Sequence, residues 1–274
     1  MKDVNNVGAF LDWGLEKDLL VPFRQQHGRL NIGQWCLVYL YIDTLTHRLA
    51  ATAKVEKHFE KENIDALIID LRNNGGGHLT EATALSGLFI DNGPIVQLRN
   101  ARGRISRLDD PDPVPRSIYN GRLIVLVNRY SASASEIFAA AIQDYDRGVI
   151  VGQQTFGKGT VQNLYPLDRY VKNQDEEELG QLTLTIGKYY RITGESTQNR
   201  GVNPDIELPS YIDIDTTGES ARKTALPWDT IRSSRYKSSS SLQKIISELN
   251  KNHQMRLKED PNLIYLNEDT LAIK

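Results

Sequence analysis

The sequence contains one cysteine, Cys36, two methionines and five histidines among 274 residues. One cysteine cannot close a disulfide within its own chain and cannot supply a multi-thiolate zinc site. An excess of one charge is lacking too: 33 Lys and Arg stand against 35 Asp and Glu, a formal net charge of −2. A chain so balanced offers no basic stripe to a phosphate backbone, which excludes the strongly basic nucleic-acid binders. The longest apolar run, Trp35 to Ile42, falls far short of the roughly 20 residues that span a bilayer. Met1-Lys2-Asp3-Val4-Asn5-Asn6 has no basic stretch followed by an apolar one, so no secretory signal is read there. At 39 % hydrophobic and 25 % charged the remainder has a globular composition. What is abundant is glycine, 20 in all and several of them clustered.

The first 36 residues show no sustained period and are read as an irregular segment. Leu37–Ile42 is β-branched and aromatic enough for a strand. Leu45–Asn63 places Leu45, Leu49, Ala53, Val55 and Phe59 on one side of a predicted helix. Ala66–Leu71 is a near-continuous apolar run of the kind found in buried parallel strands, and it leads into Asn73-Asn74-Gly75-Gly76-Gly77. Helical patterning returns at Thr80–Phe89. Pro94–Leu98 and Leu123–Val127 read as strands, the second central, with the Pro-rich stretch Asp109–Pro115 a loop between them. Ser131–Tyr145 reads as a helix with a serine-rich, Glu-supported start. Val149–Val151, Gln181–Ile186 and Tyr189–Ile192 complete the strands. Alternating strands and helices predict α/β layering around a largely parallel sheet. After Pro209 the texture changes: Asp213–Glu219 is acidic, Ser238–Ser241 suits a linker and N-cap, and Leu242–Leu257 is one amphipathic helix. The expected organisation is an irregular segment over 1–36, a core over 37–209 and a partial helical appendage over 210–274.

Three places carry chemistry. A serine in the first turn of a helix lies among unpaired amides at the positive end of the dipole, and Ser131, Ser133 and Ser135 compete for that position. In Phe156-Gly157-Lys158-Gly159-Thr160 a lysine stands between two glycines after a buried strand. Lysine acts as a general base when burial disfavours its ammonium form, and Ser–Lys is a recognised variant of the serine hydrolase constellation. The glycines of 75–77 let backbone N–H groups approach a ligand closely, as an oxyanion hole requires. Many plain tight turns share that geometry.

The segments LIIDLRNNGGG (67–77), SASASEIFAAAIQDY (131–145), VGQQTFGKGTVQ (151–162) and STQNRGVNPDIELP (196–209), in this order and spacing, resemble the protease core of the C-terminal processing, or tail-specific, protease family. TALPWDTI (224–231) is similar to the helical appendage of the periplasmic members. The resemblance implies a crotonase-like α/β core, a layered β-sheet with flanking helices, and a short C-terminal helical appendage. By matching position it implies Ser133 as nucleophile, Lys158 as general base and Gln162 as the residue that orients the lysine. The implied oxyanion hole is the backbone N–H of Ala134 with that of Gly76. Ser131 and Ser135 are then supporting residues. Also implied are ATP-independent cleavage of unfolded polypeptides or protein tails, no cofactor and no metal, and a periplasmic or envelope location. The family normally carries a PDZ domain ahead of the core, for which residues 1–36 are too few.

Other residues read as structural. Asp144 lies eleven positions after Ser133, roughly 16 Å away along one helix, too far for contact. His78 reads as a loop residue, Cys36 as a small packing residue and Asp175–Glu178 as a solvated acidic loop. Two alternatives stay open. The chain is a truncated remnant that binds peptides without cleaving them, or Gly152–Lys158 is a phosphate-binding loop. The second lacks the Ser or Thr after the lysine, and Thr160–Pro166 alternates instead of opening a helix.

Overall fold

The computed structural model describes residues 2–13, 17–26, 28–30, 32, 38–44, 46–55, 64–111, 117–170, 180–238 and 242–273. Two compact units divide the chain, residues 1–65 and 66–274. Cys36, the end of the helix expected over 45–63, and Asp175–Glu178 lie outside the described residues.

In the first unit β1 (Asp3–Val4), β2 (Gly8–Leu11) and β3 (Leu19–Pro22) form an antiparallel meander, so the segment read as irregular carries a sheet. β4 (Tyr39–Ile42) pairs with β5 (Leu49–Thr52) as an antiparallel hairpin. The helix expected to run through Leu49 is therefore a strand there. Asp43 sets the reversal: its carboxylate accepts the N–H (2.7 Å) and hydroxyl (2.8 Å) of Thr46, and His47 takes φ 54°. Such Asx turns compete with helix. Leu11, Leu19, Val21 and Ala51 form the buried cluster of this unit.

The second unit is α/β. Its strands are β6 (Ala66–Asp70), β7 (Pro94–Asn100), β8 (Ile105–Asp109), β9 (Arg122–Val127), β10 (Val149–Gly152), β11 (Thr160–Pro166), β12 (Gln181–Tyr190) and β13 (Ile206–Glu207). Its helices are α1 (Leu79–Gly87), α2 (Ala134–Asp144), α3 (Leu242–Glu259) and α4 (Pro261–Ile273). One sheet is parallel, in the order β13-β10-β9-β6, and the other antiparallel, in the order β11-β12-β7-β8. The largely parallel sheet expected from strand and helix alternation thus takes four of the eight described strands of this unit, and the other four are antiparallel. β9 is interior, as its apolar run predicts. β6 is parallel but at the edge of the described sheet, where Ile68 is 58 % exposed.

Helix α2 touches α1, β7 and β10, and so contacts both sheets. Its inward residues Ile137, Phe138 and Ile142 are buried with Val125, Ile150, Val96 and Tyr189. The buried face explains why SASASEIFAAAI forms a helix: alanines and isoleucine fill a narrow space, and Glu136 accepts the N–H of the N-cap Ser133. At the far end of the chain α3 covers β13, with Asn250 Nδ2 donating to Asp205 O at 2.8 Å and His253 Nε2 3.0 Å from Glu207 O. Burial of one strand edge under a helix protects its unpaired backbone.

Candidate active site

The carboxyl ends of three neighbouring parallel strands converge, where open α/β sheets bind ligands. β6 leads to the glycine turn, β9 to Asn128–Ser133 and β10 to Thr155–Gly159. The turns are stitched together by main-chain bonds: Ala132 N–H donates to Asn74 O (3.0 Å) and Phe156 N–H to Ser131 O (2.9 Å).

Ser133 stands at the N-cap of α2 with φ 58° and ψ −114°, a backbone conformation that L residues rarely adopt. Its neighbours hold it there. Ser131, fully buried, donates from Oγ to Leu71 O at 2.7 Å and accepts from Asn128 N–H at 2.9 Å. Ser135 donates to Asn74 Oδ1 at 2.8 Å. These two serines secure the turn on either side of Ser133, whose side chain faces the Glu136 amide in a capping box.

Glu136 is the hub of the site. It is fully buried, and its carboxylate accepts four donors: Ser133 N–H at 2.7 Å, Thr155 Oγ1 at 2.6 Å, Gly157 N–H at 2.7 Å and Lys158 N–H at 3.0 Å. The serine turn and the lysine loop therefore meet on one carboxylate. Burial pushes its pKa up to about 7, against the four hydrogen bonds, which favour the ionised form. Tyr189 joins the same two segments from the other side. Its buried hydroxyl donates to Lys158 O and lies 3.2 Å from Ser133 O. Burial raises the Tyr189 pKa well above the ordinary phenol value, so the hydroxyl remains a donor.

Gly76 takes φ +97°, and a Cβ there would lie 2.6 Å from Ala132 O, 2.8 Å from Ala134 N and 2.9 Å from Ser133 Cβ. The glycine turn is thus in direct contact with the serine turn. Among the described residues Ala134 N–H has no protein acceptor, whereas Gly76 N–H donates to Asn74 Oδ1 at 2.9 Å. Lys158 is partly buried, and its Nζ donates to Gln162 Oε1 at 3.1 Å. A register shift between Val161 and Gln162 in β11 accompanies this contact, consistent with bulges that redirect side chains beside active sites. The segment after the lysine is a strand, so a phosphate-binding loop has no helix to supply its dipole. No cluster of three or more His, Cys, Asp or Glu able to hold a metal occurs among the described residues.

Asp144, at the opposite end of α2, forms a buried ion pair with Arg191. Exposed His78 precedes α1.

Among sequences of known families, that of peptidase family S41 matches residues 37–208, more than half of the chain. The chain belongs to peptidase family S41. Residues 212–274 match a second family, the C-terminal domain of tail specific protease. The tail-specific protease of Haemophilus influenzae is 50 % identical over 213 residues, covering 77 % of this chain and 30 % of its own. The carboxy-terminal-processing protease of Bartonella bacilliformis is 34 % identical over 184 residues, covering 64 % of this chain and 38 % of its own. The chain spans about a third of the length of these relatives. Among solved structures, the photosystem II D1 C-terminal processing protease aligns with a TM-score of 0.47 and 27 % identity, over 77 % of this chain and 48 % of its own. No helix of the described residues is long and apolar enough to cross a membrane.

In this S41 chain, two residues of the site escape a sequence reading: Glu136 as the link between two loops, and Tyr189. Only Glu136 leaves a local signal, the Ser-x-x-Glu spacing of a capping box, which points to a helix start and not to a lysine loop 22 residues on.

Proposed function

We propose that this S41 chain carries the catalytic centre of a serine endopeptidase that cleaves unfolded polypeptides or protein C-terminal tails without ATP. The observation that supports it most directly is the shared carboxylate: Glu136 Oε2 accepts from Ser133 N–H and from Lys158 N–H. In this reading neutral Lys158 takes the proton of Ser133 Oγ, and the alkoxide attacks the scissile carbonyl. Gln162 aims the amine, the contact already present in the structure. Ala134 N–H, without a protein acceptor among the described residues, is one oxyanion donor. Gly76 N–H becomes the second by exchanging Asn74 Oδ1 for the developing oxyanion. Lys158 then protonates the leaving amine, and water releases the acyl group by the reverse transfers. The catalytic unit runs over 37–209 with 210–274 as its appendage, and the location is periplasmic or envelope, as the family resemblance implies. Polypeptides are the partners; neither nucleic acid nor a cofactor is.

A second reading, peptide binding without cleavage, is favoured by one feature. Gly76 N–H and Lys158 Nζ are both engaged within the protein, by Asn74 and Gln162. Digestion of casein decides between the two. Cleavage by the wild-type chain and by neither Ser133→Ala nor Lys158→Ala is expected. Full activity of Lys158→Ala, or inhibition by chelators alone, would overturn the dyad, and binding without cleavage would establish the second reading.

A further inference from the structure

The lysine loop Phe156-Gly157-Lys158-Gly159 is held from behind by residues beyond the S41 match. Arg129 is 2 % exposed. Its guanidinium donates to Thr155 O, immediately before the loop, and on the other side to Thr217 O at 2.7 Å and Ile214 O at 3.1 Å, with Ser220 Oγ at 3.3 Å. An arginine fork satisfied mainly by carbonyls fixes the backbone that supplies them. Gly218, at φ +118°, wraps so closely that a Cβ would lie 2.4 Å from Arg129 Nη2. Glu219 N–H donates to Phe156 O at 2.9 Å.

Two relays reach the glycines. Asn199 N–H donates to Gly157 O at 2.8 Å, and its Nδ2 to Leu226 O at 3.1 Å. Gln198 Oε1 accepts Gly159 N–H at 2.9 Å, while its Nε2 donates to Glu219 Oε1 at 3.4 Å. A loop flanked by glycines has little stiffness of its own, so its place is set by these external bonds.

We infer that residues 214–226 form a positioning collar that sets where Lys158 stands relative to Ser133. The C-terminal segment then takes part in catalysis without touching substrate. A general base must be within hydrogen-bond reach of the proton that it takes, and a displacement of about 1 Å costs on the order of 10²-fold in rate. The inference rests on the Ser133–Lys158 reading for its catalytic consequence, but not for its structural one.

The test uses the full chain and two matched glycine variants. Gly218→Ala puts a methyl into Arg129, whereas Gly103→Ala, also at positive φ (+78°), meets nothing within 4 Å. Amide hydrogen exchange and the kcat and KM for an unfolded-peptide substrate are measured, with Ser133→Ala as the blank. In Gly218→Ala, exchange over 156–160 should rise together with that over 214–220 while α1 is unchanged. Its kcat should fall about tenfold or more with KM held. Gly103→Ala should match wild type in both. Faster exchange over 214–220 with 156–160 unmoved, or an unchanged kcat, overturns the collar. Absence of Ser133-dependent turnover in wild type overturns the catalytic reading instead, and exchange still decides the collar. Should Gly218→Ala not fold, Asn199→Gly deletes the relay to Leu226 at a position with φ 64° and should move the same readouts in the same direction.

Discussion

Glu136 Oε2 lies 3.0 Å from the amide nitrogen of Lys158, 22 residues further along the chain. The acceptor must be ionised to serve all four of its donors, because a protonated carboxyl turns one oxygen into a donor. Activity should therefore fall as pH drops below about 7, the value to which burial pushes this group. Stability runs the other way. The folded-state value lies above the ordinary 4.5, so the folded protein binds the extra proton and gains stability as pH falls from about 7 toward 4.5. In Glu136→Gln this acid-side gain should vanish from thermal melts, and orphaned donors should lower stability by about 1–3 kcal/mol each. An equal pH slope in both proteins would refute the assignment.

Gly76→Ala forces a methyl between Ala132 O and Ala134 N, at 2.6 and 2.8 Å, on a backbone at φ +97°. The variant should lose at least about 10²-fold in kcat, the loss typical when an oxyanion donor is removed. Gly77→Ala, which meets nothing within 4 Å, should melt like wild type. Melting curves of the two variants, with kcat for the first, check both statements.

Asp144 and Arg191 show side-chain exposures of 3 % and 15 %. Removing one member leaves an unpaired buried charge, so Asp144→Ala should cost about 3–5 kcal/mol. The folded fraction should keep its Ser133 chemistry, since the pair sits at the opposite end of α2. Peptidase activity normalised to folded protein separates this structural role from a catalytic one; a normalised loss comparable to that of Ser133→Ala would contradict it.

Much of the second unit is legible in the sequence because its signals are local. The apolar runs of β9 and β10, the alternation of β12 and the capped start of α2 need no distant partner to be recognised. Errors arise where the partner decides. Leu49–Thr52 carries residues that suit a helix face, but β4 and the Asp43 turn recruit it as a strand. The run Ala66–Asp70 has the composition of a strand covered on both sides and lies at a described sheet edge. The meander over Asp3–Pro22 is too short and mixed to show a period, and within the expected helical appendage a second helix, α4, follows α3 after one residue. The site divides likewise. Ser133, Lys158, Gln162 and Gly76 sit in motifs, whereas Tyr189 and Arg129 act through bonds to main-chain carbonyls that no spacing rule encodes.

Ser133 occupies φ 58° and ψ −114°, a conformation glycine tolerates and alanine does not. Inactivation by Ser133→Gly should therefore yield a more stable protein than inactivation by Ser133→Ala, by about 1 kcal/mol or more. Glycine, not alanine, is then the better substitution for trapping a bound peptide. The position that would make the chain an enzyme is also one where the fold would be firmer without its side chain, so selection for robustness and selection for turnover pull on this residue in opposite directions.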